Sequence, residues 1–150
     1  MDKISFKLVT PERTVLSQEL VSLSCPTELG QITILPHHIP LVANLAPGEL
    51  HAKTDHDDSF IFVSGGFVEV RAHNEVIVLA DSAEHHYEID AQRAEEAKTK
   101  AQKELAEKRV GSEEYAKVAV SLERSLAKIN VARKHAHRKS PIASQGVLKE

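Results

Sequence analysis

A β-sandwich followed by an antiparallel two-helix hairpin is the architecture this 150-residue chain predicts. Three observations carry it. The first half alternates apolar and polar residues in short runs, the period of half-buried strands. The second half switches to apolar residues at steps of three and four, the period of a helix. The charge changes sign where the period changes: residues 1–88 hold 13 acidic against 5 basic side chains, net −8, and residues 89–150 hold 9 against 14, net +5. An acidic module joined to a basic one suggests two parts with different partners. The boundaries follow: a sandwich over 1–88, a hairpin over 89–139 and a flexible tail over 140–150.

The strands come in order. Ile4, Phe6 and Leu8 alternate with Ser5, Lys7 and Val9. A second strand runs from Leu20 to Cys25, where Pro26 is expected to stop it, and a third from Gln31 to Leu35, closed by Pro36. Ser59–Val63 and Phe67–Arg71 flank Gly65-Gly66, a hairpin-type turn signal. His73-Asn74 is a further turn, and Glu75–Leu79 follows it. Strands this short and closely spaced, with no helical pattern between them, predict an all-β sandwich or barrel.

Asp90 is a suitable N-cap for a first helix, on which Ala91, Ala94, Ala97, Ala101 and Leu105 form the inner face. Gly111 suits a helix exit, and Ser112 caps a second helix with Glu113 and Glu114 in its first turn. Tyr115, Val118, Leu122, Leu126 and Ile129 make the apolar stripe of that helix. An alanine seam buries little area, so the hairpin reads either as a detachable module or as an ordinary docked one.

Composition narrows the function. Hydrophobic residues at 41% and charged residues at 27% describe a globular chain, not a disordered one. No apolar run reaches the roughly 20 residues of a membrane span, and the N-terminus lacks the apolar core of a secretory signal, so a cytoplasmic location is expected. The single cysteine, Cys25, excludes an internal disulfide and a cysteine-based metal cluster. His37-His38 and His85-His86 are adjacent pairs, whose side chains diverge on a strand, and no metal is expected. Asp55–Asp58 lacks the spacing of a calcium loop. There is no nucleophile–base arrangement and hence no catalytic site. With no Trp and 4% aromatics, nucleic acid is not an expected partner.

Six segments in order resemble the epsilon-subunit family of the rotary, F-type proton-translocating ATP synthases. Val9–Arg13 looks like the family's opening strand and turn, and Gly30–Leu41 like its G-E-x-G-I-L-P-G-H-x-P-L loop. Leu45–Leu50, Ser64–Val70 and Val78–Glu84 are similar to L-K-P-G-x-L, S-G-G-F-x-E-V and V-L-A-D-x-A-E. Ile89–Ala94 is similar to I-D-x-x-R-A at the hairpin entry. Gln31, Thr33 and His37 depart from the loop pattern, standing where the family has Glu, Gly and Gly.

The resemblance implies about ten short strands, then the hairpin. It implies a non-catalytic subunit of the central stalk, bound to the gamma subunit and resting on the c-ring, peripheral on the cytoplasmic face of a bacterial membrane through the complex alone. It implies a hairpin that restrains ATP hydrolysis and contacts acidic loops of the alpha and beta subunits in an extended state. The ring-facing loop would present Glu28, Gln31, His37 and His38. The acidic-loop contacts would be Arg124, Lys128, Arg133 and Lys134, from a stretch that runs from Arg124 to Lys139 without an acid. The same cations also serve simply to complement a helix C-terminus. No cofactor is required, but some relatives bind regulatory ATP at the hairpin, and here Glu84, Asp90, Arg93, Arg124 and Lys128 occupy those positions. Asp90 is equally explained as a cap, and lysine at 128 lacks the bidentate fork of arginine. A basic nucleic-acid-binding arm and an independent ATP sensor remain as alternatives.

Overall fold

The structure is a computed structural model and describes residues 2–138; the expected tail at 140–150 lies outside the described residues. Ten strands precede two helices: β1 (Ile4–Val9), β2 (Thr14–Leu20), β3 (Ser22–Thr27), β4 (Gly30–Ile34), β5 (Leu41–Leu45), β6 (Gly48–Lys53), β7 (Asp58–Val63), β8 (Gly66–Arg71), β9 (Glu75–Ala80) and β10 (Ala83–His85). A 3-10 turn, His86–Glu88, leads to α1 (Ala91–Glu107) and α2 (Glu113–Lys134).

The strand order is β10-β7-β6-β3-β5-β8-β9-β1-β2, with β4 on the side of β3. One layer is β10-β7-β6-β3-β4 and the other β5-β8-β9-β1-β2. They join at one edge through a single pairing, Thr27 with Leu45. All pairings are antiparallel except β1 with β9, which is parallel. Alternation does what the sequence asks of it: Ile4, Phe6 and Leu8 point into the core, with Val68 and Val78 from their own layer and Leu23, Cys25, Ile34, Leu50 and Ile61 from the facing one.

Several local expectations give way. The run Leu20–Cys25 is two strands, because Val21 is a corner: β2 pairs with β1 in one layer and β3 with β6 in the other. Pro26 does not stop the second of them. It sits where β3 changes neighbours from β6 to β5, and its carbonyl accepts the Ala46 N–H at 3.0 Å. Gly65-Gly66 is not a hairpin turn, since β7 pairs with β6 and β10 whereas β8 pairs with β5 and β9. The glycines carry the chain from one layer to the other. Gly66 has φ +124°, and a Cβ there would lie 2.1 Å from the Leu79 carbonyl oxygen. His73 and Asn74, at φ 63° and 60°, do close the β8–β9 hairpin.

The helices begin as their caps dictate. Asp90 Oδ1 accepts the Arg93 N–H at 3.1 Å, and Ser112 Oγ accepts the Tyr115 N–H at 3.1 Å. Gly111 is not the exit of α1, which ends at Glu107 with Lys108 as its C-cap; it turns the linker at φ +87°. The seam is narrower than the periodicity suggests. Ala94 and Ala101 are buried, but Ala91 and Ala97 are exposed. On α2, Ser125, Ile129 and Val131 are buried while Leu126 is 46% exposed. The reason is that α2 packs against two surfaces at once, α1 and the sandwich, so its buried face is wider than one stripe and turned away from Leu126.

Candidate functional site

The hairpin folds back on the layer containing β6 and β7. On β7, Phe60, Ile61, Phe62 and Val63 are all buried. Ile61 and Val63 belong to the sandwich core, while Phe60 and Phe62 face the hairpin. Continuous burial along a strand means cover on both faces.

At the joint between sandwich and hairpin lies a cleft of about 560 Å³, within the size range of small-molecule sites. Its sandwich wall is Phe62, Ser64, Ser82 and Glu84; its floor is Glu88 and Asp90; its helical walls are Arg93, Ala94 and Ala97 of α1 and Ser121, Arg124, Ser125 and Lys128 of α2. Glu84, Asp90, Arg93, Arg124 and Lys128, expected together from the resemblance, all line it. Lys128 Nζ donates to Glu84 Oε1 at 3.0 Å and sits 5.4 Å from the centre of the Phe62 ring. This contact ties α2 to β10. Asp90 is engaged as the α1 cap. Among the described residues, neither Arg93 nor Arg124 forms an ion pair, so the cleft presents two free guanidiniums.

Below the cleft, Glu88 accepts from Arg13 at 3.0 and 3.1 Å and from the His85 N–H at 2.9 Å. Partial burial resists ionisation of Glu88, but the Arg13 pair and the backbone N–H outweigh it and hold the carboxyl below its usual range. The chain entering α1 is thereby fastened to the β1–β2 turn.

Three of the four cations expected to meet partner subunits are occupied within the chain; Arg124 is the exception among the described residues. Besides Lys128, Arg133 bonds Glu95 of α1 at 2.6 Å and Lys134 bonds Glu49 of β6 at 3.0 Å. Lys139 of the same basic stretch lies outside the described residues.

The four residues of the expected ring-facing loop are not brought together. Glu28 lies in the β3–β4 turn and Gln31 just inside β4; His37 and His38 follow the far end of that strand. His37 there donates its N–H to Asn74 Oδ1 at 2.6 Å and faces Asp2. Between Glu28 and Gln31 stands Leu29, fully exposed at the tip of the turn.

Sequence reasoning missed a second cluster beside the cleft. His135, just past α2, stacks on Phe60 with ring centres 3.7 Å apart, and its Nε2 bonds Glu49. His51 also stacks on Phe60, and His86 meets both Phe60 and His135 edge-on. The unbroken apolar run Phe60–Val63 was the available signal, because a strand solvated on one face has no need of it. Among the described residues, no group of three or more His, Cys, Asp or Glu is placed to hold a metal ion, and no helix is long and apolar enough to cross a membrane.

Sandwich, charged cleft and folded-back arm define the class: a β-sandwich docking module carrying a two-helix arm. The family model of the ATP synthase delta/epsilon chain β-sandwich domain matches residues 3–86, and that of the long α-helix domain matches residues 88–133. The chain belongs to the ATP synthase delta/epsilon chain family, with the epsilon chains. It is 44% identical to the ATP synthase epsilon chain of Dehalococcoides mccartyi, over 94% of this chain and 99% of that one. It is 40% identical to the epsilon chain of Herpetosiphon aurantiacus, over 87% and 94%. Among solved structures, a chain of the Euglena gracilis mitochondrial ATP synthase shares the fold at a TM-score of 0.74 and 21% identity, over 91% of this chain and 82% of that one. A chain of the Tetrahymena thermophila mitochondrial central stalk and c-ring shares it at 0.62 and 16%, over 89% and 96%.

Proposed function

We propose that the chain is a non-catalytic central-stalk subunit that couples rotation of the c-ring to the gamma subunit and the catalytic head, and that its hairpin restrains ATP hydrolysis. In this reading it is peripheral on the cytoplasmic face of a bacterial membrane, held there by the complex. The observation that carries the regulatory part is the pairing of Lys128, Arg133 and Lys134 with Glu84, Glu95 and Glu49 of the same chain. Those cations would exchange their own acids for acidic loops of the alpha and beta subunits when the hairpin extends, and Arg124 would join them from the cleft. Exposed and partly solvated pairs are each worth about 0–1 kcal/mol, so the exchange is cheap in either direction.

Two surfaces suit the other partners. Val9, Leu79 and Phe67 are neighbours across β1, β9 and β8, and Leu79 and Phe67 are exposed, as is Val42 on β5. An apolar row on a solvent-facing layer suits a permanent neighbour, here the gamma subunit. The β3–β4 tip with Glu28, Leu29 and Gln31 suits the c-ring, with His37 and His38 assigned to a separate contact at the opposite end of β4.

Regulatory ATP fits the cleft. Arg93 and Arg124 would hold phosphate oxygens, Lys128 would add a point charge, and Ala94 and Ala97 leave room for a flat ring. A ligand held by both helices and the sandwich would favour the folded-back arm by mass action. Titration calorimetry with ATP should give heat that Arg93→Ala abolishes; no heat at millimolar ATP would remove the nucleotide from the proposal.

The whole reading is tested on the cognate catalytic complex depleted of this subunit. Full-length protein and a version ending at Glu88 should both bind, and only the full chain should suppress hydrolysis. Equal hydrolysis with both would remove the hairpin's regulatory role, and failure of both to bind would remove the stalk role.

A further inference from the structure

The far end of α2 is held by a cluster with an unusual composition. Three histidines, His51 on β6, His86 in the 3-10 turn and His135 past α2, surround Phe60 of β7. His135 is 3% exposed. Its Nε2 faces Glu49 of β6, so in the neutral ring Nε2–H donates and Nδ1 is left as the bare nitrogen. That Nδ1 is buried and, among the described residues, has no partner, and neither nitrogen of His86 has one. Adding a proton to Nδ1 would bury an N–H with nothing to accept it, at a cost.

The charges around the ring do not relieve this. Glu49 is the only carboxylate bonded to His135 among the described residues, and it is shared with Lys134. Arg138 lies over Phe60, its guanidinium carbon 4.6 Å from the ring centre, adding a second cation from the same end of the chain. From β6, His51 sets its Nε2 3.6 Å from Asp58, too far for a hydrogen bond, and among the described residues that buried nitrogen has no partner either. From the 3-10 turn, His86 lies 5.6 Å from His135 and offers it no hydrogen bond.

We propose that the packing of His135 against Phe60, His86 and Glu49 is a proton-operated latch, which holds the hairpin on the sandwich while the ring is neutral and releases it when the ring is protonated. The inference rests on the reading of the hairpin as an arm that leaves the sandwich. Burial pushes the His135 pKa down, and Glu49 only partly opposes this. A histidine whose value is lowered on docking favours the docked state fully above its free value of about 6.5, and that preference fades as pH falls below it. One proton changes the release equilibrium by at most about tenfold per pH unit.

The test follows docking by energy transfer between dyes on Lys53→Cys and Asn130→Cys in the full chain. Cys25 is wholly buried and will take no dye. Transfer should fall between pH 7.5 and 5.5, with the release equilibrium rising several-fold. His135→Phe keeps a ring on Phe60 without a titrating nitrogen and should flatten that response. Glu84→Lys, which sets two cations together where Lys128 now finds its acid, should lower transfer at every pH. Wild-type transfer that stays high to pH 5.5 while Glu84→Lys is low would overturn the latch and leave the mobile arm standing; high transfer in both would overturn the mobile arm as well. Should His135→Phe fail to dock, imidazole NMR of the wild-type chain decides: a His135 midpoint below 6.5 supports the latch, and one at or above 6.5 overturns it.

Discussion

Gly66 illustrates how much one residue can fix. It crosses between the layers at a φ that side chains avoid, with the β9 backbone against its α-carbon. Gly66→Ala should destabilise the sandwich by at least about 2 kcal/mol, read as a lower denaturation midpoint at unchanged slope. Gly65-Gly66 stood out in the sequence, but a glycine pair says only that the backbone is unusual there, not whether the strands it joins are partners. Cys25 gives a second residue-scale prediction. Burial pushes its thiol up to about 12, so a thiol reagent at pH 8 should fail to modify the native chain and should react at once in denaturant. The residues of the cleft were legible one by one, through their place in an ordered set of motifs. Their present bonds were not, because Glu84 and Lys128 are 44 residues apart and nothing in either neighbourhood indicates the other.

Strands and helices were read with uneven success, for physical reasons. β1, β7, β8 and β9 announce themselves by alternation or by an apolar run. β6, Gly48–Lys53, does not: its sequence GELHAK carries only Leu50 and Ala52 inward, and its Glu49 and His51 belong to the hairpin contact. Likewise β5, LVANL, fully buries only Leu45 and leaves Val42 exposed on a strand with a single polar residue. On α2, the contact with the sandwich rotated the buried face off the expected stripe. That contact rests largely on Phe60. Phe60→Ala should cost about 3 kcal/mol of packing there. The expected signature is a protease-sensitive hairpin on a sandwich that still unfolds cooperatively, since Phe60 lies outside the sandwich core. Equal resistance of the two proteins to brief proteolysis would count against the docking role of this side chain.

At the scale of the molecule, the two modules differ in how they are held. The sandwich closes its own core without a residue from either helix. The hairpin has a thin alanine seam and borrows stability from the sandwich through Phe60, Phe62, Glu49 and Glu84. The sign change in charge, visible in the sequence, adds a modest electrostatic contribution to the folded-back state, since acids of the sandwich meet bases of α2. Raising ionic strength should therefore loosen the arm before it affects the sandwich; in small-angle scattering the chain should expand with salt while the sheet signal in circular dichroism stays constant. The parallel pairing of β1 with β9 bears on a different matter, the order of events during synthesis. The first strand can pair with the second as soon as both are made, but its other edge waits for the ninth, so the sandwich closes only when most of its own length has emerged. The hairpin needs only its neighbours in sequence for its internal contacts, and its landing surface on β6 and β7 is already made when α2 appears. On a ribosome, every strand of the platform thus precedes the helix that lands on it.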